Sequence, residues 1–155
     1  MAVFLVRHAA AGDRFDWDGP DRLRPLTARG GRQAQGLVGA LEGQAVERIL
    51  TSPFTRCVAT VEPLGAARGV AVEAVDELAE GRSPLAIELA ESLIGVDAVL
   101  CSHGDVIPEI VWALARRHRL DIPAPLHMRC EKGSTWVVHT DGTAFVSAEY
   151  LPPPA

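Results

Sequence analysis

The sequence lacks the features that mark proteins binding nucleic acids or membranes. Its 155 residues include 15 Lys and Arg against 20 Asp and Glu, which gives a formal net charge of −5. Because this acidic balance leaves no basic field for a nucleic acid or an anionic membrane, we expect neither as a partner. The apolar run at the N-terminus is also too short for a signal peptide or a membrane span.

Cysteine is scarce, and the familiar cofactor motifs are missing. The three cysteines, Cys57, Cys101 and Cys130, form an odd set without the spacing of a metal site. They are typical of reduced thiols in a cytosolic protein, so we predict a cytoplasmic location. The chain has no P-loop, no dinucleotide-binding fingerprint and no internal repeat. We therefore expect no cofactor and no metal ion.

What the chain does contain is an alternation of short apolar runs and helical patterns. The apolar runs predict strands over residues 2–6, 47–51, 70–75 and 96–101. Helical spacing predicts helices over 28–41, 53–68, 84–93 and 104–118, and Pro63 should kink or divide the second. After a proline-rich connection over 121–125, residues 135–139 and 144–150 flank a hairpin turn. This order predicts one α/β domain over residues 1–155, with three α/β/α layers, a mostly parallel sheet and an antiparallel C-terminal edge hairpin.

Polar side chains follow three of the predicted parallel strands. Arg7 and His8 follow the first strand, residues 52–56 follow the second, and His103 and Gly104 follow the fourth. Because parallel strands end at the same edge of a sheet, these segments should meet in one crevice. Two arginines, two histidines and the free N–H groups of helix starts are groups that bind a phosphoryl anion.

Each of these residues also has an ordinary structural interpretation. Arg56 on a first helical turn could be a solvated surface charge, and His103 could cap a helix or pack in the core. Ser102 would need a glycine two residues earlier to form a nucleophile elbow, and the chain has none there. A metallohydrolase built on His8, His103 and Asp105 is a further alternative, although neighbouring residues on a strand point to opposite faces.

The three segments, in this order, resemble the histidine phosphatase superfamily, also called phosphoglycerate-mutase-like. The Arg-His-Gly motif of that family corresponds to Arg7-His8-Ala9, and its Ser-Pro-x-x-Arg segment to residues 52–56. Its second histidine before glycine corresponds to His103-Gly104. The segment Arg24-Pro25-Leu26-Thr27 and the small size are most similar to SixA-type phosphohistidine phosphatases and to the phosphatase domains attached to some Nudix hydrolases.

This resemblance implies a metal-independent phosphatase. His8 would be the nucleophile that forms a phosphohistidine, Arg7 and Arg56 would clamp the phosphate oxygens, and His103 would donate a hydrogen bond or a proton. Gly104 would belong to the phosphate-binding segment. The implied substrate is a phosphohistidine protein, with small phosphoesters or nucleotides as the alternative. A phosphate-binding module without turnover is a third possibility.

The chain departs from the family pattern in two places. Ala9 stands where the family has glycine, which could tighten the turn beside the phosphate. The general acid is also open: Glu80 fits a Leu-x-Glu segment after the third strand, while Asp76 and Glu77 are rivals and a solvated loop carboxylate is the ordinary alternative. The stretch after Glu80 is too short for a lid, so we expect an open site that admits a phosphorylated protein side chain or a bulky phosphoester rather than a mutase site.

Overall fold

Strands and helices alternate along most of the chain, as the apolar pattern predicts. The computed structural model describes residues 1–124 and 127–154. Within these ranges the strands are β1 (Ala2–Arg7), β2 (Arg48–Thr51), β3 (Val72–Ala74), β4 (Ala98–Ser102), β5 (Thr135–Thr140) and β6 (Phe145–Leu151). The α-helices of the same ranges are α1 (Ala28–Ala40), α2 (Thr55–Arg68), α3 (Ser83–Ser92) and α4 (Ile107–His118). Short 3-10 helices cover Asp21–Leu23 and Asp76–Leu78.

The strands form one sheet in the order β3-β2-β4-β1-β5-β6. Strands β3, β2, β4 and β1 run parallel, whereas β5 runs antiparallel to both β1 and β6. The turn between β5 and β6 contains Gly142 at a φ of 98° and a backbone hydrogen bond of 3.1 Å from Asp141 to Ala144. The predicted parallel sheet with an antiparallel C-terminal hairpin is thus confirmed.

Alternating side chains of β1 divide the interior into two cores. Val3 and Leu5 pack with apolar residues of α3 and α4, whereas Phe4 and Val6 pack with those of α1 and α2. Each fully buried side chain of this size stabilises the fold by about 1.5–3 kcal/mol. The sheet therefore needs a helical layer on each face, and the predicted three-layer architecture is confirmed.

The start of α1 is fixed to the loop that follows β1. The side chain of Thr27 caps the helix by accepting a 3.1 Å hydrogen bond from the N–H of Gly30, and the Thr27 N–H donates to the carbonyl of Ala10 at 3.0 Å. A Cβ atom on Gly30 would lie 1.9 Å from that carbonyl oxygen. Gly30 is therefore required by a close backbone approach, which explains a glycine that is otherwise unfavourable in a helix.

Several element boundaries differ from the predicted ones. Strand β3 begins at Val72 because Val70 still donates a hydrogen bond to the carbonyl of Gly65 at the end of α2. Helix α4 begins at Ile107 because the preceding residues form a turn on the carbonyl of His103. Helix α2 continues through Pro63, so the helix is not divided there. Residue 125 of the predicted connection and residue 155 of the predicted domain lie outside the described residues.

Two further properties are the state of the cysteines and the character of the helices. The cysteines are free thiols, with Cys57 and Cys101 buried and Cys130 partly buried. In the described ranges, no helix combines the length and the apolar character needed to cross a membrane.

Candidate active site

The ends of three parallel strands are aligned at one edge of the sheet. Arg7 on β1 pairs with Ser102 on β4, and Thr51 on β2 pairs with Cys101 on β4. The segments that follow these strands therefore meet, and they line a cavity of about 540 Å³. Its lining contains all six predicted site residues, Arg7, His8, Arg56, Glu80, His103 and Gly104. The loop residues Ala11, Gly12, Asp13, Arg14, Phe15, Arg24, Asp105 and Lys132 complete it.

His8 is held in one tautomer. Its Nδ1 lies 2.8 Å from the carbonyl oxygen of Ala9, and because a carbonyl can only accept, Nδ1 carries the hydrogen. The lone pair is then on Nε2. Burial lowers the pKa of His8 to about 3, and the charges of Arg56, His103 and Arg7 act in the same direction, against the hydrogen bond to Ala9. His8 is therefore neutral at physiological pH, which is the nucleophilic form.

Ala9 fits its position without backbone strain. Its side chain is fully buried, and its φ is not in the positive range that favours glycine. Its N–H donates to the hydroxyl oxygen of Thr60 at 2.9 Å, and this hydroxyl donates to the carbonyl of Arg56 at 2.7 Å. The turn after β1 is thus connected to the helix that carries Arg56.

The guanidinium of Arg7 packs against Gly104. A Cβ atom at position 104 would lie 2.6 Å from Cζ of Arg7, so only glycine leaves room for this arrangement. One end of the guanidinium donates to the carbonyl of Cys130 at 2.7 Å, whereas Nε is buried without a protein partner among the described residues.

Arg56 is a buried residue and not a surface charge. It is 1% exposed, and its two Nη atoms donate to the carbonyl and carboxylate oxygens of Asp21 at 2.9 and 3.1 Å. Its Cζ lies 5.0 Å from the ring centre of Phe54. As in Arg7, Nε has no partner among the described protein atoms. The solvated-surface alternative for Arg56 is therefore wrong.

His103 lies beside His8, with 5.6 Å between the ring centres. Its Nε2 is 2.8 Å from the hydroxyl of Ser52, which also accepts from the N–H of Phe54 at 3.3 Å. The hydroxyl hydrogen is then free to point at Nε2, which favours a hydrogen on Nδ1. That Nδ1 is buried and has no partner in the described part of the chain.

Three residues of the cavity lining each have a buried nitrogen atom without a partner among the described residues: Nε of Arg7, Nε of Arg56 and Nδ1 of His103. Leaving a buried donor without a partner costs about 1–3 kcal/mol, so the fold keeps these groups beside the cavity at a cost. The two arginines suit a bound anion such as a phosphoryl group, which has three acceptor oxygens.

Glu80 reaches the same cavity. Its carboxylate oxygens lie 3.7 Å from Nη2 of Arg56 and 3.6 Å from Nη2 of Arg14. The rival carboxylates Asp76 and Glu77 lie in the 3-10 helix before it and are not among the lining residues. Of the three candidate general acids, Glu80 is therefore the one whose carboxylate reaches the cavity.

The sequence interpretation missed the support that the loop after β1 gives to the site. Arg24 is 5% exposed and donates to a carboxylate oxygen of Asp21 at 3.0 Å and to the carbonyl of Gly12. Although partial burial opposes it, the hydrogen bond from Arg24 and the charge of Arg56 lower the pKa of Asp21. The high charge density of residues 13–24 was the available signal. Lys132 was missed as well, and it is the single lysine of the chain.

The metal alternative finds no support in this arrangement. The part of the chain that the structure describes contains no group of three or more His, Cys, Asp or Glu side chains placed to hold a metal ion. His8, His103 and Asp105 line one cavity but do not form a ligand set.

Comparison with known proteins gives the family. A protein-family model described as histidine phosphatase superfamily (branch 1) matches residues 3–84, which include Arg7-His8 and residues 52–56. This chain belongs to the histidine phosphatase superfamily. The resemblance inferred from the motifs is thereby confirmed.

Individual members of the superfamily are similar to this chain over different extents. The 8-oxo-(d)GTP phosphatase of Mycolicibacterium smegmatis is 32% identical over 166 residues, which cover 98% of this chain and 48% of that protein. The phosphohistidine phosphatase SixA of Escherichia coli is 40% identical over 67 residues, 42% of this chain and 40% of that protein. The chain thus spans about half of the length of the 8-oxo-(d)GTP phosphatase, and its alignment with SixA covers 40% of that protein.

The fold is shared with solved structures of the superfamily. The protein histidine phosphatase SixA complexed with tungstate superimposes with a TM-score of 0.76 at 26% identity, covering 100% of this chain and 97% of that one. The α/β fold described above is therefore the histidine phosphatase fold.

Proposed function

We propose that this domain is a metal-independent phosphatase that acts through a phosphohistidine on His8. The observation that carries the proposal is the neutral imidazole of His8, with its lone pair on Nε2, in a cavity that Arg7, Arg56 and His103 also line. A nucleophile and an oxyanion site in one cavity are the two parts that covalent phosphoryl transfer requires.

In the first step, Nε2 of His8 attacks the phosphorus atom. A P–N bond forms, the bond to the leaving group breaks, and the leaving group departs with its electron pair. The imidazole gains positive charge, which the hydrogen bond from Nδ1 to the carbonyl of Ala9 stabilises. Arg7, Arg56 and His103 stabilise the negative charge on the phosphoryl oxygens.

In the second step, water attacks the phosphohistidine. A new P–O bond forms, the P–N bond breaks, and its electron pair returns to Nε2, which regenerates neutral His8 and releases inorganic phosphate. We assign Glu80 the transfer of a proton to the leaving group in the first step and from the attacking water in the second. Its carboxylate at the cavity wall, beside Arg14 and Arg56, supports this assignment.

The first substrate class is a phosphohistidine side chain on a protein. The similarity to SixA proteins in sequence and in fold supports it. Release of imidazole from phosphohistidine needs less acid assistance than release of an alkoxide, so this reaction depends least on Glu80.

A second substrate class, nucleotides or other small phosphoesters, is favoured by a separate observation. Phe15 lines the cavity although it is 89% exposed, so an aromatic ring is available to a planar leaving group. The relative that matches nearly the whole chain is named for a nucleotide substrate. Base-aromatic stacking contributes about 1–3 kcal/mol per base.

A substrate panel tests the proposal and ranks the two classes. Purified protein is assayed with a chromogenic aryl phosphate, a phosphohistidine protein and nucleotides, each with and without chelator. We expect hydrolysis to continue in the presence of the chelator. When a reaction with a phosphoryl-labelled substrate is quenched early, we expect the label on His8, and it should be labile in acid and stable in alkali. Binding of phosphate without turnover of any substrate would instead make the domain a phosphate-binding module.

A further inference from the structure

Lys132 is fixed beside the nucleophile by its backbone. The N–H of the next residue, Gly133, donates to the carbonyls of both Arg7 and His8, at 3.1 and 3.0 Å. The N–H of Arg7 in turn donates to the carbonyl of Ser134 at 3.0 Å. Gly133 has a φ of 85°, and a Cβ there would lie 3.2 Å from the side chain of Gln33. The turn that carries Lys132 is thus tied to the segment that carries the nucleophile, and its side chain lines the same cavity.

The ammonium group of Lys132 lies in a field of like charge. Partial burial lowers the pKa of Lys132, and the charges of Arg7, Arg24 and Arg56 lower it further, while Asp13 acts in the opposite direction. Like charges gathered in one cavity repel one another, and a bound anion relieves that repulsion. In a protein with a net charge of −5, this concentration of cations is a local feature of the cavity.

The four arginines of the cavity lining are already engaged. Arg7 and Arg56, with His103, are assigned to the transferred phosphoryl group. Arg24 is bonded to Asp21 and to the carbonyl of Gly12, and Arg14 is paired with Glu80 at 3.6 Å. Lys132 therefore remains available for a further anion.

We propose that Lys132 forms a second anion subsite, which selects substrates carrying a second phosphate group next to the transferred phosphoryl group. This inference rests on the proposed use of the cavity as a phosphoryl site. An ammonium group with three rotatable donors suits a phosphate whose orientation differs between substrates, whereas the arginines suit the fixed geometry of the transferred group. The substrate class is then a phosphoric anhydride, such as a nucleoside diphosphate or triphosphate.

Binding of non-hydrolysable ligands tests the subsite without relying on turnover. Titration calorimetry at fixed ionic strength compares methylenediphosphonate with methylphosphonate. We expect the wild-type protein to bind the diphosphonate at least roughly tenfold more tightly. Lys132→Met should remove most of this preference and change the affinity for methylphosphonate by less than about twofold. Lys132→Arg should retain the preference, which shows that a cation and not the packing of the side chain is needed.

A matched control separates the subsite from the overall charge. Arg129→Met removes one positive charge from the same part of the chain, where Arg129 is exposed and paired with Glu131 at 2.8 Å. This variant should keep the preference for the diphosphonate. A loss as large as that of Lys132→Met would overturn the proposal, because the effect would then come from net charge.

The remaining outcomes are equally decisive. Equal binding of the two ligands by the wild-type protein, or equal loss of both in Lys132→Met, overturns the second subsite. Tighter binding of phosphonoacetate than of methylenediphosphonate overturns the assignment of a second phosphate. A preference for the diphosphonate in a protein that hydrolyses nothing supports the subsite and contradicts the proposed phosphatase activity, so the two failures are distinguishable.

Discussion

The two ends of the cavity differ in how the fold holds their side chains. The inner site consists of Arg7, His8, Arg56 and His103. The outer wall consists of Arg14, Phe15, Glu80 and Lys132. In the inner site, His8 is 5% exposed and both Arg56 and His103 are 1% exposed. In the outer wall, the side chain of Arg14 is 57% exposed and that of Glu80 is 36% exposed.

This difference in burial indicates different roles for the inner site and the outer wall. The inner site is attached to strand ends and to the first turn of α2, so its donors keep one geometry before any substrate binds. The outer wall belongs to loops, where residues can be exchanged without disturbing either core. We therefore expect the inner site to set the reaction and the outer wall to set the substrate.

Removal of the nucleophile should have the largest effect. His8→Ala should lower kcat/KM by at least roughly 10³-fold for every substrate, because it removes the attacking nitrogen, and Nε2 of His103, the other histidine of the described lining, already lies 2.8 Å from the hydroxyl of Ser52. Steady-state kinetics with an aryl phosphate measures the loss. His139→Ala, at a histidine whose side chain is 40% exposed on β5, is the control and should leave the rate unchanged. Undiminished turnover in His8→Ala would remove His8 from the mechanism.

The buried neutral state of His8 should also make stability depend on pH. The pKa of His8 is lowered from its ordinary value of 6.5 to about 3, so between these values the unfolded chain binds more protons than the folded one. The stability contributed by neutral His8 is complete above pH 6.5 and is lost as the pH falls towards 3. A group in this range contributes about 1.4 kcal/mol per pH unit.

Urea unfolding at pH 7 and pH 5 measures this contribution. Between pH 7 and pH 5, the free energy of unfolding should fall by about 2 kcal/mol more in the wild-type protein than in His8→Asn. Parallel pH dependence of wild type and His8→Asn would show that His8 is not held neutral by the fold.

The sequence predicted the inner site better than the outer wall for a physical reason. Arg7, His8 and His103 directly follow apolar runs, so a local pattern places them at strand ends, and parallel pairing then brings them together. Lys132 reaches the cavity only because the turn at Gly133 is hydrogen-bonded to β1, more than a hundred residues away in the chain. No local pattern encodes such a contact. The same holds for the pairing of Asp21 with Arg56, which lies 35 residues further along the chain.

Tertiary contacts also explain two residues that are unfavourable inside helices. Gly30 of α1 is required because the carbonyl of Ala10 occupies the place of a Cβ atom. Pro63 predicts a kink or a division of α2, yet the helix continues through it, with the buried residues Val61 and Leu64 on either side. In each case the packing partner lies outside the segment from which the prediction was made.

Substitution of a clamp arginine by lysine should have a moderate effect. Arg56→Lys keeps the positive charge but loses the planar fork that bonds Asp21 through two nitrogen atoms. We expect kcat/KM to fall at least roughly tenfold, about 1.4 kcal/mol. Arg48→Lys is the control, because Arg48 is exposed and paired with Glu73 far from the cavity. An unchanged rate in Arg56→Lys would mean that charge alone is sufficient at this position.

Loss of the outer-wall carboxylate should have the smallest and most selective effect. Glu80→Gln should slow alkyl phosphates roughly tenfold, because an alkoxide leaving group needs a proton in the transition state. Phosphohistidine and aryl phosphates with good leaving groups should change by less than about threefold, since they depart with little acid assistance. Comparison of kcat for one member of each class measures the difference.

The neighbouring carboxylate provides the control for this test. Glu77→Gln removes the same charge three residues earlier, from a side chain that does not line the cavity, and should affect all substrates alike and weakly. Equal slowing of every substrate in Glu80→Gln would point to a different role, that of holding Arg56 and Arg14 in place across 3.7 and 3.6 Å. Glu80 would then be a residue that positions the inner site. The outer wall would in that case contain one residue that supports the reaction beside others that select the substrate.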